Sequence, residues 1–156
     1  MSNINEIAPG LTNAGSPLEG VATAGQPDEE HLKSLAEAGY KTVIDLRTTE
    51  EDRGFDEEEV VREAGMEYAN IPVGHETIAD ETFEQFRELM TDPERHPALV
   101  HCSSANRVGA LLIPYLILDE GRDREEAVEV ASEVGLSSEE LKHRALEYAS
   151  GQEESL

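Results

Sequence analysis

The chain has one cysteine, three lysines and no tryptophan among its 156 residues. A single cysteine excludes an internal disulfide, and a free thiol is most at home in a reducing cytoplasm. No apolar run approaches the ~20 residues of a membrane-spanning helix. The N-terminus, Met1-Ser2-Asn3-Ile4-Asn5-Glu6, lacks a basic region followed by an apolar stretch, so no secretory signal is expected. These absences predict a cytoplasmic protein. Basic residues are scarce as well, 12 against 35 acidic, giving a net charge of −23. Nucleic acid and anionic membrane surfaces are bound through Lys and Arg, so neither is expected as a partner.

Many carboxylates with few lysines resemble the surface of a protein from a high-salt cell, where self-repulsion is screened. An acidic surface that simply favours solubility has the same composition, and composition does not separate the two. In both cases an anionic substrate meets a repulsive overall field. Its site then needs a local positive pocket.

The length suits one domain with a real core, and 38% hydrophobic residues suit a soluble globular chain. Residues 1–20, rich in Gly, Pro, Asn and Ser, are expected to form an irregular arm with a short strand near Gly10-Leu11-Thr12. One domain is expected over 21–150, followed by a frayed tail at 151–156. Strands are predicted at Val21–Ala24, Thr42–Leu46, Glu67–Val73 and Pro97–His101. Thr42-Val43-Ile44-Asp45-Leu46 is nearly continuous in apolar character, which fits burial on both faces. Helices are predicted after Asp28, over Phe55–Ala64, Asp80–Met90, Val108–Glu120, Arg124–Glu133 and Ser138–Ser150. Asp28 is placed as an N-cap, Gly39 as a stop, and Pro114 as a kink inside its helix. Alternating strands and helices imply an α/β fold, a mostly parallel central sheet flanked by helices. Ligands bind such sheets beyond the carboxyl ends of the strands. The loops after Leu46, Val73 and His101 converge there.

The last of these loops, His101-Cys102-Ser103-Ser104-Ala105-Asn106-Arg107, is the most informative stretch. It joins an apolar strand to an apolar helix and holds the one cysteine. A thiol there faces backbone N–H groups and the positive end of the helix dipole, an arrangement that favours thiolate and cradles anions. Arg107 can close the cradle with a planar fork suited to oxyanions. A nucleophilic sulfur beside an oxyanion site is what covalent phosphoryl or sulfur transfer requires. A lone cysteine ending a buried strand is ordinarily a small core hydrophobe. The small residues 103–105 and a charge at the strand–helix junction favour the anion site instead.

Gly25-Gln26-Pro27, the run Gly39-Tyr40-Lys41-Thr42-Val43-Ile44-Asp45-Leu46-Arg47, the strand ending Ile71-Pro72-Val73, and His101-Cys102…Arg107 occur in this order. The ordered set resembles the beta-lactamase hydrolase-like, phosphatase-like family, relatives of the dual-specificity protein tyrosine phosphatases, over roughly residues 20–135. The resemblance implies a tyrosine-phosphatase-like three-layer fold and hydrolysis of phosphate monoesters on a protein or a small molecule, without cofactor. It implies that Cys102 attacks phosphorus, forming a phosphocysteine. Arg107 and the N–H groups of Ser103, Ser104, Ala105, Asn106 and Arg107 would hold the equatorial oxygens. His101 would fix the loop and count among the binding residues. The loop is Cys-x4-Arg, one residue shorter than the tyrosine phosphatase pattern. That spacing does occur in the hydrolase-like family. Val108 stands where phosphatases usually have Ser or Thr, with Ser103 or Ser104 as substitutes.

A six-residue cradle is also the size found in rhodanese-type sulfurtransferases, where the cysteine carries a persulfide. A non-catalytic anion- or phosphoprotein-binding module is a third reading. For the general acid, His75 falls nearest the place expected from the resemblance, and its ordinary pKa suits proton donation near neutrality; it reads equally as a solvated loop histidine. Glu76 and Asp80 are alternatives, Asp80 being better placed as a helix cap. Arg47 either supports the oxyanion site or, the simpler explanation, pairs with Glu50 or Glu51. Asp45 is expected to bond a neighbouring loop backbone. His31, His96 and His143 show no metal spacing with a cysteine, and no metal is expected.

Overall fold

A computed structural model describes residues 4–48, 51, 54–74, 78–103 and 105–155. Its centre is a five-stranded sheet in the order β1-β2-β5-β3-β4. The strands are β1 (Gly15–Leu18), β2 (Val21–Ala24), β3 (Thr42–Asp45), β4 (Glu67–Asn70) and β5 (Ala98–His101). β2, β5, β3 and β4 run parallel, and β1 pairs antiparallel with β2 at the edge. Every residue of β2, β3 and β5 is buried, as expected for central strands covered on both faces.

Successive strand residues feed two cores, because side chains alternate across a strand. Ala22, Val43 and Leu99 pack with Leu32, Leu35 and Val61 under α2 (Glu29–Glu37) and α3 (Glu57–Glu63). Val21, Ile44 and Val100 face the opposite way. They meet α4 (Asp80–Met90), α5 (Asn106–Pro114), α6 (Arg124–Val134) and α7 (Glu139–Ser155). The result is the expected three-layer α/β arrangement. α5 is its central helix, buried from Arg107 through Pro114. Among the described residues no helix is long and apolar enough to cross a membrane.

Local signals explain most boundaries. Asp28 caps α2 by accepting the His31 N–H at 2.8 Å, and the His31 ring accepts the Asp28 N–H in return. Gly39 follows at φ +96°, a left-handed turn that stops the helix. Pro114 has no N–H to donate back along its helix. There the α-helix passes into a π turn over Tyr115–Asp119, which is the form the expected irregularity takes. On the exposed surface of α3, Glu63 and Asp56 crowd Glu59 and raise its pKa. The acidic surface repels itself at this point.

Three expectations are corrected. Residues 1–20 are not wholly irregular: α1 (Ile4–Ile7) packs into the α2 core, and the strand lies at Gly15–Leu18 instead of near Leu11. α7 continues past Gly151 to Ser155, since one exposed glycine costs a helix only about 1 kcal/mol. Asp80 is the first residue of α4 and not its cap; Ala79 holds that position and the Asp80 carboxylate pairs with Arg144.

Candidate active site

The parallel register aligns the last residues of four strands, Ala24, His101, Asp45 and Asn70, in one row across the sheet. The chain segments that leave this row build the site. Cys102 follows directly, its N–H on the Ala24 carbonyl at 3.3 Å. The Asn70 amide donates to the carbonyls of Asp45 and Arg47, each at 2.8 Å, and so pins the exit of β3.

Cys102 is buried, and its Sγ accepts the backbone N–H of Ala105 at 3.1 Å. Ala105 precedes α5 in the left-handed conformation, φ +73°. This conformation is costly for a residue with a Cβ, on the order of 1–2 kcal/mol. Gly25 makes the packing behind the loop possible. A Cβ at Gly25 would lie 2.6 Å from the Ser103 carbonyl oxygen and 3.1 Å from Thr12 Cγ2.

Arg107, in the first turn of α5, is the largest fully buried side chain. Its Nη1 donates to the Val73 carbonyl at 2.8 Å and to Glu51 Oε2 at 2.9 Å. Its Nη2 donates to Glu51 Oε1 at 2.9 Å and to Ser103 Oγ at 3.1 Å. Guanidinium and carboxylate thus meet fork to fork. Burial works against the charge of Arg107, and the Glu51 carboxylate together with the Cys102 sulfur outweighs it. In return Arg107 holds the Glu51 carboxyl well below the usual carboxylate range, assisted by the Thr48 N–H and by Arg47. Arg47 itself donates to Glu51 at 3.0 Å, the structural pair expected for it.

His101 lies on the opposite face of the sheet from the sulfur. Its Nε2 donates to Glu57 Oε2 at 2.5 Å, and both side chains are fully buried. The ring therefore braces the loop from behind and does not face a substrate on the cysteine side. The Asn106 side chain is likewise turned away: its Oδ1 accepts the N–H groups of Ser137 and Ser138. Asp45 accepts the Arg47 N–H at 2.9 Å, the expected backbone bond, and also the Tyr68 hydroxyl at 2.5 Å. Ser104, His75 and Glu76 lie outside the described residues.

Asp45, Glu57 and His101 bring ligand-type atoms within 4.8 Å of one another. Each carboxylate oxygen already accepts a protein donor, from Arg47 and Tyr68 on Asp45 and from Gln26 and His101 on Glu57. The set fits a hydrogen-bond network better than a metal site. His31 bonds the Pro9 carbonyl and His96 the Met90 carbonyl.

Gln26, Glu51 and Glu57 were the participants that sequence reasoning missed. Gln26 stood out only as part of a motif, and Glu51 only as a partner for Arg47. Glu57 is one of 35 acidic residues in the chain, with no local mark of its burial.

The family model for a DSP-PTPase phosphatase fused to NAD+ kinase matches residues 17–149. The chain belongs to this DSP-PTPase family. It is 31% identical to the Beta-lactamase hydrolase-like protein of Xylella fastidiosa over 115 residues, which are 71% of this chain and 26% of that protein. The chain thus spans about a quarter of the length of the curated relatives it matches. Among solved structures, a DUF442 protein from Shewanella putrefaciens CN-32 superposes with a TM-score of 0.79 at 23% identity, covering 94% of this chain and 97% of that one. P. aeruginosa TpbA in complex with pTyr gives 0.66 at 22% identity, covering 89% and 83%. The fold of this DSP-PTPase member is that of the tyrosine-phosphatase-like phosphatases, as its motifs implied.

The Glu51–Arg107 fork has a consequence in acid. A carboxyl whose folded pKa is depressed contributes stability above its unfolded pKa, about 4.3, and loses it as pH falls toward the folded value. Glu51→Gln is expected to lower the urea midpoint at neutral pH. It is also expected to flatten the fall of that midpoint below about pH 4.3 relative to wild type. Parallel midpoint-against-pH curves for the two proteins would show that the fork contributes no linked stability.

Proposed function

We propose that this DSP-PTPase member is a cysteine-dependent phosphatase acting on phosphate monoesters through a phosphocysteine. The observation that carries the reading is the Ala105 N–H on Cys102 Sγ, two residues before the arginine that closes the loop. The sulfur and the guanidinium fork thereby share one backbone-lined cradle.

The Cys102 thiolate attacks phosphorus, the bond to the leaving oxygen breaks, and that oxygen takes a proton. Water then displaces the sulfur and releases inorganic phosphate. Arg107 and the loop N–H groups stabilise the charge on the three equatorial oxygens. His75 is proposed as the proton donor, with Glu76 as the alternative; Asp80 is engaged by Arg144. Ser103, whose hydroxyl already meets Arg107, is the residue available to assist departure of the sulfur in place of Val108. The substrates proposed are phosphorylated proteins, phosphotyrosine included, or small phosphate esters. TpbA's structure with pTyr supports that class. The location proposed is cytoplasmic.

Cys102→Ser is expected to abolish hydrolysis of para-nitrophenyl phosphate, by at least ~10⁴-fold, while the protein stays folded. Orthovanadate should inhibit the wild type. Turnover that survives in the variant would rule out the phosphocysteine. The six-residue loop favours a second reading, sulfur transfer, which a thiosulfate-to-cyanide assay of the same two proteins tests. An inactive protein that still binds vanadate would be an anion-binding module.

A further inference from the structure

The two ends of the cysteine loop are joined by a second, side-chain route that passes outside the loop. From Arg107 the chain of hydrogen bonds runs to Glu51, from Glu51 to Arg47, and from Arg47 Nη1 to Gln26 Oε1 at 2.8 Å. It continues from Gln26 Nε2 to Glu57 Oε1 at 2.6 Å and ends at His101, the residue before the cysteine. Gln26 is the one amide among them. It lies just after Gly25, whose missing side chain lets the end of β2 press against Ser103.

We propose that Gln26 is a positioning residue that closes this ring and so fixes Arg107 and His101 relative to Cys102. The chemistry of its neighbours explains the residue type. Arg47 offers only donors, and Glu57 meets the amide with an accepting carboxyl oxygen, so the bridging side chain must accept at one end and donate at the other. An amide does both without charge. Glutamate would set a second carboxylate against Glu57, lysine would set a cation against Arg47, and asparagine is one methylene short. The same neighbours fix which end of the amide is oxygen. Buried networks of this kind act as a unit, so opening one link loosens the others.

The proposal rests on the reading of Cys102 as the reacting group, and its test separates the two. The intact wild type, Gln26→Met and Gln26→Glu are compared by kcat and KM on para-nitrophenyl phosphate across pH. The rate at which iodoacetamide alkylates Cys102, the only thiol, is measured alongside. Gln26→Met keeps the shape and removes the bonds to Arg47 and Glu57, along with that to the Pro27 carbonyl; Gln26→Glu keeps the acceptor and removes the donor. Both are expected to lower kcat ~10–100-fold with a much smaller change in KM, and to alter the pH profile, because small misplacements of catalytic groups carry costs of that size. Wild-type kcat and pH profile in both variants would overturn the proposal, even if thermal stability fell. Should Gln26→Met fail to fold, Gln26→Glu decides by the same readout. If the wild type does not turn over, the phosphatase reading fails and alkylation decides alone. A rate changed by at least ~threefold upholds the ring, and equal rates overturn it.

Discussion

Arg107→Lys is expected to lower kcat/KM on an aryl phosphate by about 10²–10³-fold, although the charge is conserved. The guanidinium meets four acceptors from two nitrogens: both oxygens of Glu51, the Val73 carbonyl and the Ser103 hydroxyl. An ammonium is a point donor with three hydrogens and cannot present two parallel N–H groups to one carboxylate or one phosphate. Glu51 would lose its bidentate partner, and the buried Val73 carbonyl would lose a donor. A stability loss of about 2 kcal/mol should accompany the kinetic loss, read from urea midpoints at neutral pH. If kcat/KM stays within about threefold of wild type, the fork is not what holds the transferred group, and the positive end of α5 must serve in its place.

Gly109→Ala is expected to destabilise the domain although it adds only one methyl. Gly109 sits in the middle of α5, and a Cβ there would lie 2.7 Å from the Cβ of Leu136 and 2.9 Å from the Ala131 carbonyl oxygen. Both atoms belong to or adjoin the backbone of α6 and its exit, so no flexible side chain can swing clear. Alanine favours a helix over glycine by about 1 kcal/mol, and overpacking of this kind costs typically 1–3 kcal/mol or more. The net expectation is a loss of about 2 kcal/mol, or roughly 4–8 °C in Tm for a domain of this size. Activity should fall as well, since α5 carries Arg107. A Tm at or above wild type would mean that α6 moves aside freely.

Much of the fold was legible because its signals are local. Asp28 and Gly39 bracket α2 within a dozen residues, and the apolar run at 42–46 marks a strand wherever it ends up. The cysteine loop was legible for the same reason: sulfur, small residues and arginine lie within six positions. What holds that loop in place was not. Glu51 reaches Arg107 across 56 positions, Glu57 reaches His101 across 44, and Gln26 reaches Glu57 across 31. In a chain with 35 acidic residues nothing local distinguishes the two carboxylates that end up against the site. Asn106 shows the converse error. Its position in the loop suggested a binding residue, but its rotamer was set by the Ser137 and Ser138 N–H groups, whose proximity only the α6–α7 connection creates.

Gly25 bears on where this scaffold is open to change. The wall it forms against Ser103 is backbone on both sides, and backbone at that separation admits no larger residue. The backbone on that side of the cradle therefore leaves no room for a side chain at residue 25. A library aimed at new substrates leaves residues 25, 26, 51, 57 and 101–107 untouched.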